Sequence, residues 1–105
     1  MFRVSVLYPA TANSRFDLDD YLNRHTPMVE ALLGPALRGV QIDRGIAGFA
    51  PGSPAPFHMA CHLLFDSAQA FAAAFGPHNA VIQADIVNYT DITPVIWMNE
   101  VLRNG

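Results

Sequence analysis

Four histidines and one cysteine carry most of the chemistry open to this 105-residue chain. His78 stands just past a Gly76-Pro77 break and ahead of a helical stretch. The break fixes the direction of a ring that titrates near neutrality, which suits a general acid/base or a donor to a carbonyl oxygen. The alternative is a helix-start histidine that bonds its own backbone or a neighbouring carboxylate. His25 lies within an apolar helical stripe, two residues before Pro27. Ring and kink together could line the same pocket, with Tyr21 one turn earlier. Equally, His25 could satisfy the carbonyl of Asn23 that Pro27 cannot bond. Tyr8, Tyr89, Asp91 and Trp97 could furnish polar edges in an apolar cavity, the usual make-up of a small-molecule site. Packing in the core or an interface is the other use for Tyr8 and Trp97, and a turn cap for Asp91.

His58, Cys61 and His62 have the residue types of a metal site but not the spacing. On a strand, residues four apart stand ~13 Å apart, and Cys61 points to the opposite face. No metal site and no cofactor are expected. The sequence carries no nucleophile elbow, phosphate loop, dinucleotide fingerprint or carboxylate pair.

The elements that must position these residues follow from periodicity. Phe2, Val4, Val6 and Tyr8 alternate with Arg3, Ser5 and Leu7 up to Pro9. Both faces are largely apolar, which predicts a central strand. Asp17 or its neighbours can cap a helix whose stripe is Leu18, Tyr21, Leu22, His25, Met28, Val29, Leu32 and Leu33. Pro27 predicts a kink or restart near His25, and Gly34-Pro35 ends the helix. Residues 37–46 read as a more exposed strand near an edge. A long Gly/Pro loop follows, and then a strand over 57–65 with Phe57, Met59, Cys61, Leu63 and Phe65 on one face and His58, Ala60, His62 and Leu64 on the other. Asp66 or Ser67 caps the next helix, with Gln69 as a capping-box partner for Asp66. That helix breaks at Gly76-Pro77 and resumes over 79–86. Residues 92–102 form the last strand, with Pro94 at an edge or bulge. The order β-α-β-β-α-β with right-handed crossovers gives an α+β, ferredoxin-like, four-stranded antiparallel sheet with both helices on one face.

The other sheet face is left bare. The chain is 51% hydrophobic and only 14% charged, high and low for its length. A small domain of this kind exposes apolar surface that calls for a partner. A second copy packed sheet against sheet is the expected one, giving a two-fold homodimer. The net charge is −3, the six cations are all arginine and they do not cluster, so no nucleic-acid partner is expected. No apolar run reaches the ~18–20 residues that cross a bilayer, and the first residues move straight into strand alternation without signal-peptide character. No membrane partner and a cytoplasmic location are expected. One cysteine allows no internal disulfide.

Taken together, Val4-Ser5-Val6-Leu7-Tyr8-Pro9, Tyr21-Leu22, His25-Thr26-Pro27-Met28-Val29, Leu33-Gly34-Pro35 and the run from Phe75-Gly76-Pro77-His78 to Asn88-Tyr89-Thr90-Asp91 resemble the EthD family. The resemblance covers nearly the whole chain. It implies a single EthD-like domain over 1–105, the dimeric α+β-barrel superfamily and a homodimer. It also implies a link to bacterial catabolism, the family taking its name from gene clusters for ethyl tert-butyl ether degradation. The wider superfamily includes cofactor-free monooxygenases, muconolactone isomerases, polyketide cyclases and haem-degrading proteins. In some of the cyclases a histidine after a proline at the second-helix break lines a helix–sheet pocket, and His78 matches that position. The expected function is binding of a small apolar carbonyl or aromatic metabolite in that pocket, with or without cofactor-free acid/base chemistry by His78 and His25. The alternatives are a non-catalytic accessory protein of a catabolic pathway and a haem-handling protein.

Overall fold

The computed structural model describes residues 1–104. Four strands, β1 (Phe2–Pro9), β2 (Gly39–Arg44), β3 (Phe57–Phe65) and β4 (Val95–Glu100), form one antiparallel sheet in the order β2-β3-β1-β4. The Val-rich β1 takes an inner place, as its two apolar faces require, and the polar β2 takes an edge. β1 and β3 run in register from Phe2↔Phe65 to Tyr8↔Met59; Pro9 then pairs with Phe57, leaving His58 unopposed. That irregularity ends the alternation expected at this end of β3. His58 turns its ring against Phe16, with centroids 5.1 Å apart.

The first helical arm starts at Asp17, whose side chain accepts the Asp20 amide at 3.0 Å. It comprises α1 (Leu18–Asp20), a π-helical turn over Tyr21–His25 and α2 (Thr26–Leu33). The disturbance expected from Pro27 takes the form of that wider turn: the Thr26 amide and hydroxyl both donate to the Tyr21 carbonyl. Gly34, at φ 61°, leaves the helix through a left-handed conformation that favours glycine. The second arm is α3 (Ala68–Phe75), a 3₁₀ turn over Gly76–His78 and α4 (Asn79–Tyr89). Ser67 is its cap, accepting from the Ala70 amide, while Asp66 pairs with Arg38 at 3.0 Å on the surface. The last strand is shorter than its apolar pattern suggests. Ile92 is buried among aromatic side chains, and pairing with β1 begins only after Pro94, which has no N–H to donate.

Both arms pack on one face of the sheet. Val4, Cys61, Leu63 and Phe65 meet Val29, Leu33 and Ile82 there, and Tyr8 and Met59 meet Tyr21, Tyr89 and Ile92. The opposite face is less apolar than the composition suggests. Its cross-strand rows are Gly39–Leu64–Arg3–Asn99, Gln41–His62–Ser5–Trp97 and Asp43–Ala60–Leu7–Val95. Buried Ser5 bonds His62 Nδ1 at 2.9 Å and accepts from Asn99 at 3.0 Å. Polar Arg3, Ser5, Gln41, Asp43, His62 and Asn99 are thus interspersed on this face with apolar Leu7, Ala60, Leu64, Val95 and Trp97. No helix among the described residues is long and apolar enough to cross a membrane.

Candidate functional site

A cavity of about 110 Å³ lies between the two helical arms and the sheet. Its walls are mainly apolar, including Val4, Val29, Leu63, Phe75 and Ile82. Thr26, Glu30 and Gln83 also line it, and both Glu30 and Gln83 are exposed, so this side opens to solvent between α2 and α4.

Four polar rings gather along the wall: Tyr8 from β1, Tyr21 and His25 from the π turn, and Tyr89 from the end of α4. The wider turn brings Tyr21 and His25 onto the same side, their rings near-parallel with centroids 5.8 Å apart. The His25 ring lies 4.6 Å from that of Tyr89. The Tyr8 and Tyr89 hydroxyls share a hydrogen bond of 2.6 Å. The Tyr8 and Tyr21 rings meet edge to face with centroids 5.9 Å apart.

Behind His25 stands Asp85, on α4. His25 Nδ1 lies 2.6 Å from Asp85 Oδ2, and both residues are buried. A carboxylate only accepts, so Nδ1 carries the proton and donates it. Nε2 has no hydrogen-bond partner among the described residues. Asp85 also accepts from Asn88 at 2.8 Å and from Arg24, which reaches its two oxygens at 2.9 and 3.0 Å. Burial works against the Asp85 charge, but the hydrogen bonds from His25, Asn88 and Arg24 outweigh it and hold the carboxyl below the usual carboxylate range. Burial pushes the Tyr8 phenol up to about 12, and drives Tyr21 and Tyr89 well above the ordinary phenol value. It also pushes the Cys61 thiol up to about 11. These groups stay protonated at neutral pH, so three phenols and an inert thiol share the wall with a histidine ring held by a carboxylate.

Of the residues singled out in the sequence, the structure brings together His25, Tyr8, Tyr21 and Tyr89. His78 is half-buried at the joint between α3 and α4 and is not on the cavity wall. Asp91 is exposed and accepts the Arg15 amide at 2.8 Å, closing the turn after α4. Trp97 is 43% exposed on the helix-free face, its indole donating to Asn99. His25 is not bonded to the carbonyl of Asn23; its ring turns to Asp85 instead. Among the described residues no group of three or more His, Cys, Asp or Glu is placed to share a metal ion. Asp85 escaped the sequence reading. Its signal is an acid three residues after Ile82 and four before Tyr89, on the buried stripe of its helix.

A ferredoxin-like α+β domain with a histidine–carboxylate pair behind an apolar helix–sheet cavity is the class that fold and site define. Residues 12–93 match the EthD domain, and the chain belongs to that family. It is 44% identical to an EthD-like protein from Ralstonia eutropha JMP134, covering 99% of this chain and 94% of that one with a TM-score of 0.93. An ethyl tert-butyl ether degradation (EthD) family protein from Bacillus halodurans C-125 shares the fold at 20% identity, with coverage of 97% and 99% and a TM-score of 0.75. So does a dimeric ferredoxin-like protein of unknown function from Thermobifida fusca YX, at 16% identity, coverage of 95% and 90% and a TM-score of 0.57. No curated protein matches the chain.

Proposed function

We propose that this protein binds a small apolar carbonyl compound in the helix–sheet cavity and moves a proton on it, with His25 as the base and Asp85 as its positioning residue. The observation that carries the reading is the 2.6 Å contact between His25 Nδ1 and Asp85, with the same ring on the cavity wall. His25 takes this role in preference to His78 because His78 is not on that wall. In the reaction, His25 Nε2 accepts a proton from the carbon next to the carbonyl. The C–H electron pair moves into a carbon–carbon double bond, and the carbonyl π pair moves onto oxygen. A phenol of the Tyr8–Tyr89 pair, or Tyr21, donates to the resulting enolate oxygen. Return of the proton to the same or another carbon completes an exchange or an isomerisation.

Size bounds the ligand. An engineered apolar cavity of about 150 Å³ takes benzene. The smaller space here suits a compound of roughly four to five non-hydrogen atoms, or a larger one such as cyclopentanone that extends towards Glu30 and Gln83. The protein is also read as a two-fold dimer through the helix-free sheet face, where Val95 and Trp97 are 50% and 43% exposed. The Thermobifida fusca protein of the same fold is described as dimeric.

The test is exchange of the α-hydrogens of cyclopentanone in heavy water, followed by NMR. Wild type is expected to accelerate exchange, and His25→Ala to lose roughly a hundredfold or more of that acceleration, a typical contribution of a positioned base. Binding of cyclopentanone without any acceleration would instead favour a non-catalytic carrier. Equal acceleration by wild type and His25→Ala would remove His25 from the chemistry.

A further inference from the structure

The loop over residues 45–56 is folded rather than slack. Gly45 extends the ladder by donating to the His58 carbonyl at 3.0 Å, and Gly48 donates to the Ser53 carbonyl at 2.9 Å. Ser53 donates twice to the Ala50 carbonyl, from its amide at 3.0 Å and its hydroxyl at 2.6 Å. A side chain at Gly48 would collide with Ser53 and the Pro54 carbonyl. Yet this ordered finger holds Phe49 wholly in solvent and Ile46 87% exposed. On the opposite edge of the sheet, β4 exposes Val95, Ile96, Trp97 and Met98 in succession, and its outer backbone groups have no strand beside them. Three strand spacings, ~14 Å, separate the two edges. Ile96 lines the cavity while 44% exposed, so that wall is thin.

A second copy brings these features together. Asp43 and Val95 lie in one cross-strand row, so the finger projects from the end of the sheet at which β4 begins. When two sheets meet face to face about a two-fold axis along the strands, each copy's β2 edge lies against its partner's β4 edge with those ends together. We propose that the partner's finger, through Phe49 and Ile46, docks on the start of β4 beside Ile96. Each cavity would then be completed by a second copy of this chain. The inference rests on the dimer proposed above, and it adds a residue of the partner to the site. The finger has no charge between Gly45 and Pro56, which fits an apolar seat.

Cross-linking reads this directly. Phe49→Cys and Ile96→Cys variants are mixed, allowed to exchange subunits, and treated with a short bis-maleimide. Native Cys61 is buried and stays out of the reaction. A cross-linked dimer is expected in the mixture and in neither variant alone, because the two fingers of one dimer lie on opposite edges. No cross-link in the mixture, or an equal yield from Phe49→Cys alone, would overturn the docking. Phe49→Ser, a surface change that leaves the core intact, is expected to weaken the dimer at least about tenfold in analytical ultracentrifugation, the scale of burying one Phe ring. An unchanged dimer would overturn the proposal, as would Phe49-dependent binding to phosphatidylglycerol vesicles without the mixed cross-link. Cyclopentanone exchange is scored separately. Exchange without cross-linking would sink the finger and leave the site; cross-linking without exchange would do the reverse.

Discussion

Deleting the Asp85 carboxylate tests the site through its stability. In Asp85→Ala, three donors lose an acceptor, but not equally. Arg24 has a side chain 46% exposed and keeps Asp20, so solvent screens most of its loss. Asn88 can turn to water. His25 cannot: it is buried, and an unpaired buried donor costs roughly 1–3 kcal/mol. The expected loss is therefore about 2–4 kcal/mol, towards the lower end of the range for removing one partner of a buried pair. In a domain of this size that lowers Tm by roughly 8–20 °C. Asp85→Asn keeps an oxygen for His25 Nδ1–H and should lose about half as much, ~1–2 kcal/mol. The pH dependence separates charge from shape. The Asp85 carboxyl sits below its usual range in the folded protein. Its contribution is then complete above about pH 4, the unfolded value, and disappears as pH falls through the lower folded value. Urea unfolding followed by circular dichroism at fixed protein concentration, from pH 7 down to 3, should show the gap between wild type and Asp85→Asn narrowing in acid. A gap that stays constant across that range, or one below ~0.5 kcal/mol at pH 7, would mean that His25 is not held by a buried anion: the first shows no dependence on the carboxylate's charge, and the second is on the scale of an ordinary surface change.

The chain has three tyrosines, and all three stand around the cavity with raised phenol values. Absorbance at 295 nm should show no tyrosinate near pH 10, where the unfolded chain ionises. Stability should fall above that pH, because the unfolded state releases protons that the folded state keeps; an ordinary titration in the folded protein would contradict the enclosed cluster. Cys61, pushed up to about 11, should resist a thiol reagent at pH 8 until urea unfolds the chain, and rapid native labelling would show that this side of the cavity is open.

The sequence by itself determined the element order, the central place of β1, the edge place of β2, the disturbance before Pro27 and the joint at Gly76-Pro77. Those features follow from alternation, helical spacing and the geometry of Gly and Pro, all of which act between near neighbours. The tertiary structure decided the site. His25 and Asp85 are sixty positions apart, and only the packing of both arms on one sheet face brings Nδ1 to the carboxylate. The same packing gathers Tyr8, Tyr21 and Tyr89, leaves His78 at a joint, and sends Trp97 to the far side. A ring's chemistry can be read from its type, but the group that orients it depends on which distant surfaces meet.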